Sequence, residues 1–319
     1  MTAANNDRDR APRPAVSVVV PFAGSRSAGA AAIAALATIR LEPGDRLIMV
    51  DNNAPAIGLE SPLAGLEIVH DAAERSSYFA RNLGAGRSSA EWLLFIDADC
   101  EPVSDLLDRY FEPMPADGVG VLAGKVVAAR DQDSFAARYA RSRGQIEIDH
   151  HLETGPLPAG VTANLLVRRQ CWEALGGFTE GVVSGADLEF CWRAQEAGWG
   201  FETRPSAVVG HRHPDTIAAM AKKARRHGAG RAWINRIRPG ALPRPRVLRP
   251  IARGLGGALV HRLRGRPEQA LFKLADFRWA AATLNGYLRD DNVAKRIDAS
   301  TPSATAAEAA PATPPDPTR

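Results

Sequence analysis

Apolar runs of strand length, separated by polar and helix-capable stretches, set the tightest limit on what this chain can fold into. Residues 15–22 (AVSVVVPF), 46–50 (RLIMV) and 92–96 (WLLFI) are rich in branched and bulky apolar side chains without alternation, and 66–70 is a shorter run of the same kind. Unalternating runs of this length read as strands buried on both faces, the situation of a parallel sheet covered by helices. Between them lie the alanine-rich stretch 28–39 and the stretch 77–88, both suited to helix. The order strand, helix, strand, strand, helix, strand predicts an α/β fold with right-handed crossovers, whose ligands sit outside the carboxyl ends of the strands. The residues to examine are therefore 21–25, 51–53 and 97–100.

Downstream, residues 105–111 read as a helix, 119–127 as a strand and 133–150 as mostly helical. A strand over 161–167 precedes a helix over 169–175 that Gly176-Gly177 would stop. Residues 186–197 read as a helix ended by Gly198, and 207–209 as a last short strand leading to His211-Arg212-His213.

The chain has 319 residues, 45% apolar and 24% charged, enough for one large α/β domain with additions or for two small ones. No apolar run nears the roughly 18 to 20 residues that a spanning helix needs, and residues 1–14 lack the apolar segment of a secretion signal. A cytoplasmic protein is the expectation. Cys100, Cys171 and Cys191 are too widely spaced for a cysteine-rich zinc site and read as buried thiols. Residues 222–267 carry fourteen Lys or Arg and no Asp or Glu, and the last twenty residues are too poor in large apolar side chains to fold. The boundaries read as a tail over 1–14, a domain over 15–235, a basic helical extension over 236–298 and a disordered tail over 299–319.

Asp97-Ala98-Asp99 follows the buried run WLLFI directly. Two carboxylates at i and i+2 can both enter a cleft where the chain leaves its pleat, and hard oxygen ligands suit Mg²⁺ or Mn²⁺ on a diphosphate. By itself an Asp-x-Asp is more often a turn cap. Here it stands among VVVPF, VDNN, YFARNLGA, FIDADCEP, ANLLVRRQCWEALGGF, SGADLEFCWRAQEAGW and PSAVVGHRH. That series, in that order over residues 16–233, resembles the inverting family 2 glycosyltransferases of GT-A fold. The resemblance implies a Rossmann-like, mostly parallel sheet with helices on both faces, followed here by a C-terminal helical extension.

It also implies roles. Asp51 matches the position that bonds the nucleotide base, Arg81 one that holds the nucleotide, and Asp97 the ribose-contacting aspartate, with Pro21 and Phe22 at the neighbouring strand end. Asp99 matches the metal ligand and His211 a further one, for Mn²⁺ or Mg²⁺. Asp187 matches the second member of a Glu-Asp pair that supplies the general base at a helix start, where the backbone favours a carboxylate anion. The preceding Glu is Ala186 here, which leaves Glu189 as an alternative base, though it should face roughly 200° away. Asp187 also fits an N-cap, and Asn164 fits either a sugar contact or a satisfied core amide. Trp192 and Trp199 read as core more readily than as sugar-stacking platforms, and His213 as a weaker ligand than His211.

The activity implied is metal-dependent transfer, with inversion, of a sugar from a UDP, GDP or dTDP donor to an acceptor hydroxyl that is left open: glycan, lipid carrier, natural product or peptide. A metal-dependent nucleotidyltransferase would share the Asp pair, but of its usual glycine-rich loop Ala23-Gly24-Ser25 is only a thin version. A nucleic-acid-binding protein would use the basic block, but Trp233 is its only aromatic, which gives little to stack on bases. The block fits three other uses: closing over the donor (222–233), a solvated face, or an amphipathic helix with Ile251, Leu255, Leu259 and Leu263 at the inner membrane surface.

Overall fold

The computed structural model describes residues 13–60, 63–145, 155–245 and 248–296. The proposed tails lie outside these residues, apart from Arg13 and Pro14. Arg13 belongs to the folded domain: it donates to Asp45 at 2.5 Å and to Asp108 at 2.9 Å with its side chain almost fully covered.

The predicted strands form one sheet. β1 (Val16–Phe22) pairs in parallel with β2 (Arg46–Asp51) and β5 (Trp92–Ile96), and β2 with β3 (Leu66–His70). Beyond β5 the sheet becomes mixed. β8 (Asn164–Arg168) runs antiparallel to both β5 and β7 (Val119–Ala128), while β9 (Gly200–His211) is parallel to β7 and antiparallel to β6 (Cys100–Pro102). The order is β3-β2-β1-β5-β8-β7-β9-β6, and β4 (Glu74–Arg75) stands apart.

The sheet is covered on both faces, as unalternating strands require. Val18 and Val20 point to one side with Leu94 and Ile96, against α1 (Arg26–Leu36) and α3 (Leu106–Tyr110). Val19, Leu93 and Phe95 point to the other, against α2 (Ser77–Gly86), α5 (Arg169–Ala174) and α6 (Ala186–Glu196). α4 is Phe135–Ser142, and the rest of the helix expected to reach residue 150 falls largely outside the described residues. All three cysteines are buried free thiols.

The last long strand corrects the expectation of a three-residue one. β9 has 12 residues, and its pairing with β7 shifts register between Gly124 and Lys125. The shift passes over 205–207, where Pro205 cannot donate to the ladder, so an irregularity at proline hid one long strand from pattern reading.

The C-terminal part is α7 (Ile217–Ile237), α8 (Leu248–Leu263) and α9 (Pro267–Arg289). The expected division at 235 falls inside α7. α7 and α9 cross so closely that a Cβ on Gly228 would land on the Thr283 carbonyl, and one on Gly286 on the Arg225 carbonyl. Residues 290–296 then return to the domain as a strap. Asn292 donates to Ser184 O (2.8 Å) and accepts from Val183 N (3.3 Å), Ala294 N donates to Gly181 O (2.9 Å), and β10 (Lys295–Arg296) pairs with β4.

Candidate functional site

β5 ends at Ile96, so Asp97 and Asp99 stand at the carboxyl edge of the sheet. β6 begins at Cys100 and pairs with the end of β9, with Cys100 opposite His211. That pairing carries His211 to the two aspartates: its Nε2 lies 3.5 Å from Asp99 Oδ1 and 3.8 Å from Asp97 Oδ2. Nδ1 is 2.7 Å from the Arg212 carbonyl, an acceptor, so Nδ1 carries a proton and Nε2 is the ring nitrogen turned to the carboxylates.

Asp99, Cys100 and His211 bring one ligand atom each within 4.8 Å of one another. Cys100 is a poor member of that set. Burial, helped by Asp97 and Asp99, pushes its thiol well up, and Sγ donates to Ala163 O at 3.5 Å. The donors left are a carboxylate and an imidazole, a set that fits Mn²⁺ and serves Mg²⁺ less well.

The two aspartates differ electrostatically. Burial opposes the charge of Asp97, but Arg81, then His211 and Arg226, outweigh it and hold that carboxyl below the usual range. Asp99 goes the other way. Its side chain is about half accessible, yet the protein crowded around it and the charge of Asp97 raise it against His211 and Lys223.

α2 joins this group to Asp187. Arg81 forms an ion pair with Asp97 and lies over the Tyr78 ring at 5.4 Å, one helical turn back. The Tyr78 hydroxyl donates to Asp187 Oδ1 (3.0 Å) and accepts from Gly185 N (3.1 Å). Gly185, in the left-handed region at φ 94°, precedes α6 and sets Asp187 in its first turn. Oδ1 also accepts from Leu188 N at 3.1 Å, whereas among the described residues Oδ2 has only a long contact with Thr162 N at 3.4 Å, which leaves a lone pair open.

α7 lies across the site. Gly230 packs against Ser184 and Ile234 against Gly185, so one face of α7 rests on the start of α6. Arg226 and Lys223, one and two turns before Gly230, act electrostatically on Asp97 and Asp99. Burial and Arg226 together lower Lys223 against the pull of the aspartates. His213, its ring centre 6.5 Å from that of His211, is buried and neutral, pushed down to about 4 first by burial and then by Lys223 and His211. Neither ring nitrogen of His213 has a hydrogen-bond partner among the described residues.

Other candidates lie elsewhere. Asn164 is fully buried and cross-links three elements, accepting from Tyr110 Oη (2.7 Å) and donating to Ala207 O (2.8 Å) and Lys125 O (3.1 Å). Its amide is fully used, and the core reading replaces the sugar contact. Glu189 is buried on α6, bound by Arg193 at 2.6 Å and Thr179 at 3.1 Å, which leaves Asp187 as the open carboxylate of that helix. Trp192 is core, its Nε1 donating to Leu157 O. Pro21 and Phe22 are buried in β1 and offer no side-chain surface to a ligand. Asp51 shapes the adjoining loop, accepting from Asn53 N (3.0 Å), Asn53 Nδ2 (2.6 Å) and Ile57 N (3.4 Å), while Asn53 Oδ1 accepts from Gly24 N beyond β1.

Sequence reasoning passed over Tyr78 and Asn292. Tyr78 stood in the quoted YFARN, and its one-turn spacing from Arg81 was the available signal. Asn292 gave none, because its contacts span more than a hundred residues.

Residues 92–289 match the family model described as glycosyl transferase family group 2. A pre-mycofactocin glycosyltransferase of Mycobacterium tuberculosis is 26% identical over 223 residues, covering 66% of this chain and 45% of the relative. Glycosyltransferase AglE of Haloferax volcanii is 29% identical over 169 residues, covering 53% and 55%. The chain thus spans about half the length of the curated relatives it matches. Among solved structures, the mannosyltransferase PcManGT from Pyrobaculum calidifontis, in complex with GDP-Man and Mn²⁺, superimposes with a TM-score of 0.58 at 18% identity over 88% of this chain and 89% of the other. That likeness is one of fold, and the mixed, mostly parallel sheet with its flanking helices is the GT-A architecture. Since the family match takes in more than half of the chain and contains the Asp97, Asp99, Asp187 and His211 site, the protein belongs to glycosyl transferase family group 2.

Proposed function

We propose that the protein transfers a sugar from a nucleoside-diphosphate donor to an acceptor hydroxyl with inversion at the anomeric carbon, using a divalent metal. The observation that carries this reading is the single turn of α2 on which Arg81 holds Asp97 and Tyr78 holds Asp187, tying a metal-ligand pair and an open carboxylate into one site. The mannosyltransferase of like fold holds GDP-Man and Mn²⁺, which supports a donor of that class.

Asp99 and His211 would hold the metal, which when bound neutralises charge on the leaving diphosphate. Asp97, kept ionised by Arg81, would accept from the donor's ribose hydroxyls, and the loop shaped by Asp51 would border the base. Lys223 and Arg226 would lie over the diphosphate as α7 closes the donor side. Asp187 Oδ2 would take the acceptor's proton as the acceptor oxygen bonds to the anomeric carbon and the bond to the diphosphate oxygen breaks. No covalent enzyme intermediate is needed, so configuration inverts.

Melting the protein with UDP-, GDP- and dTDP-sugars, each with Mn²⁺ and then with EDTA, tests this. At least one donor should raise the melting temperature by several degrees in Mn²⁺ and lose the effect in EDTA. If no donor stabilises the protein in a metal-dependent way, the reading fails.

A further inference from the structure

The last turns of helix α8 point apolar side chains outward. Two of its contacts with α9 are made at glycines: a Cβ on Gly254 would lie 3.0 Å from Lys273 O and 3.3 Å from Phe277 Cβ, and one on Gly257 3.1 Å from Lys273 Cδ. Leu259 and Leu263 fall about 140° and 180° around the helix from Gly254. They are 60% and 79% exposed, with Val260 exposed beside them. The first turns of α9 add Leu271 and Leu274, also exposed. A helix stabilised by tertiary packing turns its large apolar residues inward. Here they face out.

Charge identifies the partner. From Arg244 to Arg266 the chain carries seven arginines and no acid. Arg262, Arg264 and Arg266 are exposed and form no ion pair among the described residues. The acids next along α9 are already engaged, Glu268 by Arg138 and Asp276 by Arg143. Arginines interleaved with solvent-facing leucines match a surface that is anionic outside and hydrocarbon beneath. A second copy of this chain would bring arginines against arginines. An RNA would find no aromatic residue between 244 and 266 on which to stack a base.

We infer that the α8–α9 hairpin is a membrane-docking element, which lays the outer face of α8 into an anionic bilayer surface with Leu259 and Leu263 among the acyl chains. None of the described helices is long and apolar enough to cross a membrane, so the contact is peripheral. It is independent of the donor reading.

The test is co-sedimentation of the full chain with phosphatidylcholine vesicles, with and without phosphatidylglycerol. The chain should pellet with the anionic vesicles alone, and less so as salt rises. The Leu259→Ser/Leu263→Ser pair should weaken that binding by more than about tenfold with an unchanged melting temperature, since neither leucine is packed. Three results would overturn the inference: no sedimentation, sedimentation of the leucine pair equal to wild type, or a dimer in solution that the pair dissolves. Retention of a short RNA in competition with the anionic vesicles would overturn it too.

Discussion

Tyr78 has one hydroxyl and two tasks, holding Asp187 Oδ1 and capturing the Gly185 amide just before the helix of Asp187. Replacing Asp187 with Asn should leave donor binding intact and lower turnover by about 10²- to 10⁴-fold, the usual share of a general base. Binding isotherms beside single-turnover rates would show the split, and full turnover in that variant would remove Asp187 from the reaction. Tyr78→Phe should give a smaller loss, roughly tenfold in kcat with donor KM unchanged, because the base survives but loses its aim. A rise in donor KM alone would mean that Tyr78 serves Arg81 and not Asp187. At this scale the positions of Asp97, Asp99, Asp187 and His211 were legible from motifs, since strand ends and helix starts fix where their side chains go, and the roles proposed for them are what such variants test. Asn164 was ambiguous because a buried amide and a ligand-binding amide look alike until their partners are counted.

Among the elements, the crossing of α7 over α9 depends on two glycines whose backbones touch without side chains between them. Gly228→Ala or Gly286→Ala should destabilise the protein by about 1–3 kcal/mol in urea unfolding and shift Lys223 and Arg226 away from the aspartates. A neutral result would show that the helices can separate without strain. α9 is joined to α4 through Asp276, which binds Arg143 at 2.7 Å and accepts from Tyr139 at 3.0 Å. Burial alone would raise Asp276, but Arg143 and Tyr139 outweigh it and hold the carboxyl below its usual range. A depressed folded value stabilises above the unfolded value, and that stability fades as pH falls through the folded one. Asp276→Asn should therefore cost about 0.5–1 kcal/mol near pH 7, with the difference closing as acid unfolding proceeds below the ordinary carboxylate range. Equal loss at all pH values would point to lost packing. β1, β2, β3, β5, β7, β8 and α1 to α6 were readable because each has its own apolar run or period and a stop signal, whereas β4, β6 and β10, two or three residues each, were not. The length of β9 was not, because charged residues and Pro205 interrupt its pattern while pairing with β7 sustains it.

For the molecule as a whole, the boundary expected at 235 falls inside a helix, because composition changes at the basic block while α7 runs on from Ile217 to Ile237. The strap after α9 holds the loop over 181–185 from one side, and Glu74 and Ser76 hold it from the other, through Gly181 N (2.8 Å) and Val182 O (2.7 Å). Ending the chain after Arg289, or changing Asn292 to Ala, should leave metal-dependent donor binding in place and cut turnover by tenfold or more. Faster amide exchange at Val183 should accompany it. Unchanged turnover in both would free the loop from any dependence on the strap. The strap also bears on how the protein is made. A growing chain that has already delivered Asp97, Asp99, Asp187, His211 and the cations of α7 still lacks Asn292 and Ala294. On the proposed roles, a chain under synthesis makes its donor-facing residues before the strap that fixes the 181–185 loop, so the acceptor half of the site is the last to be completed.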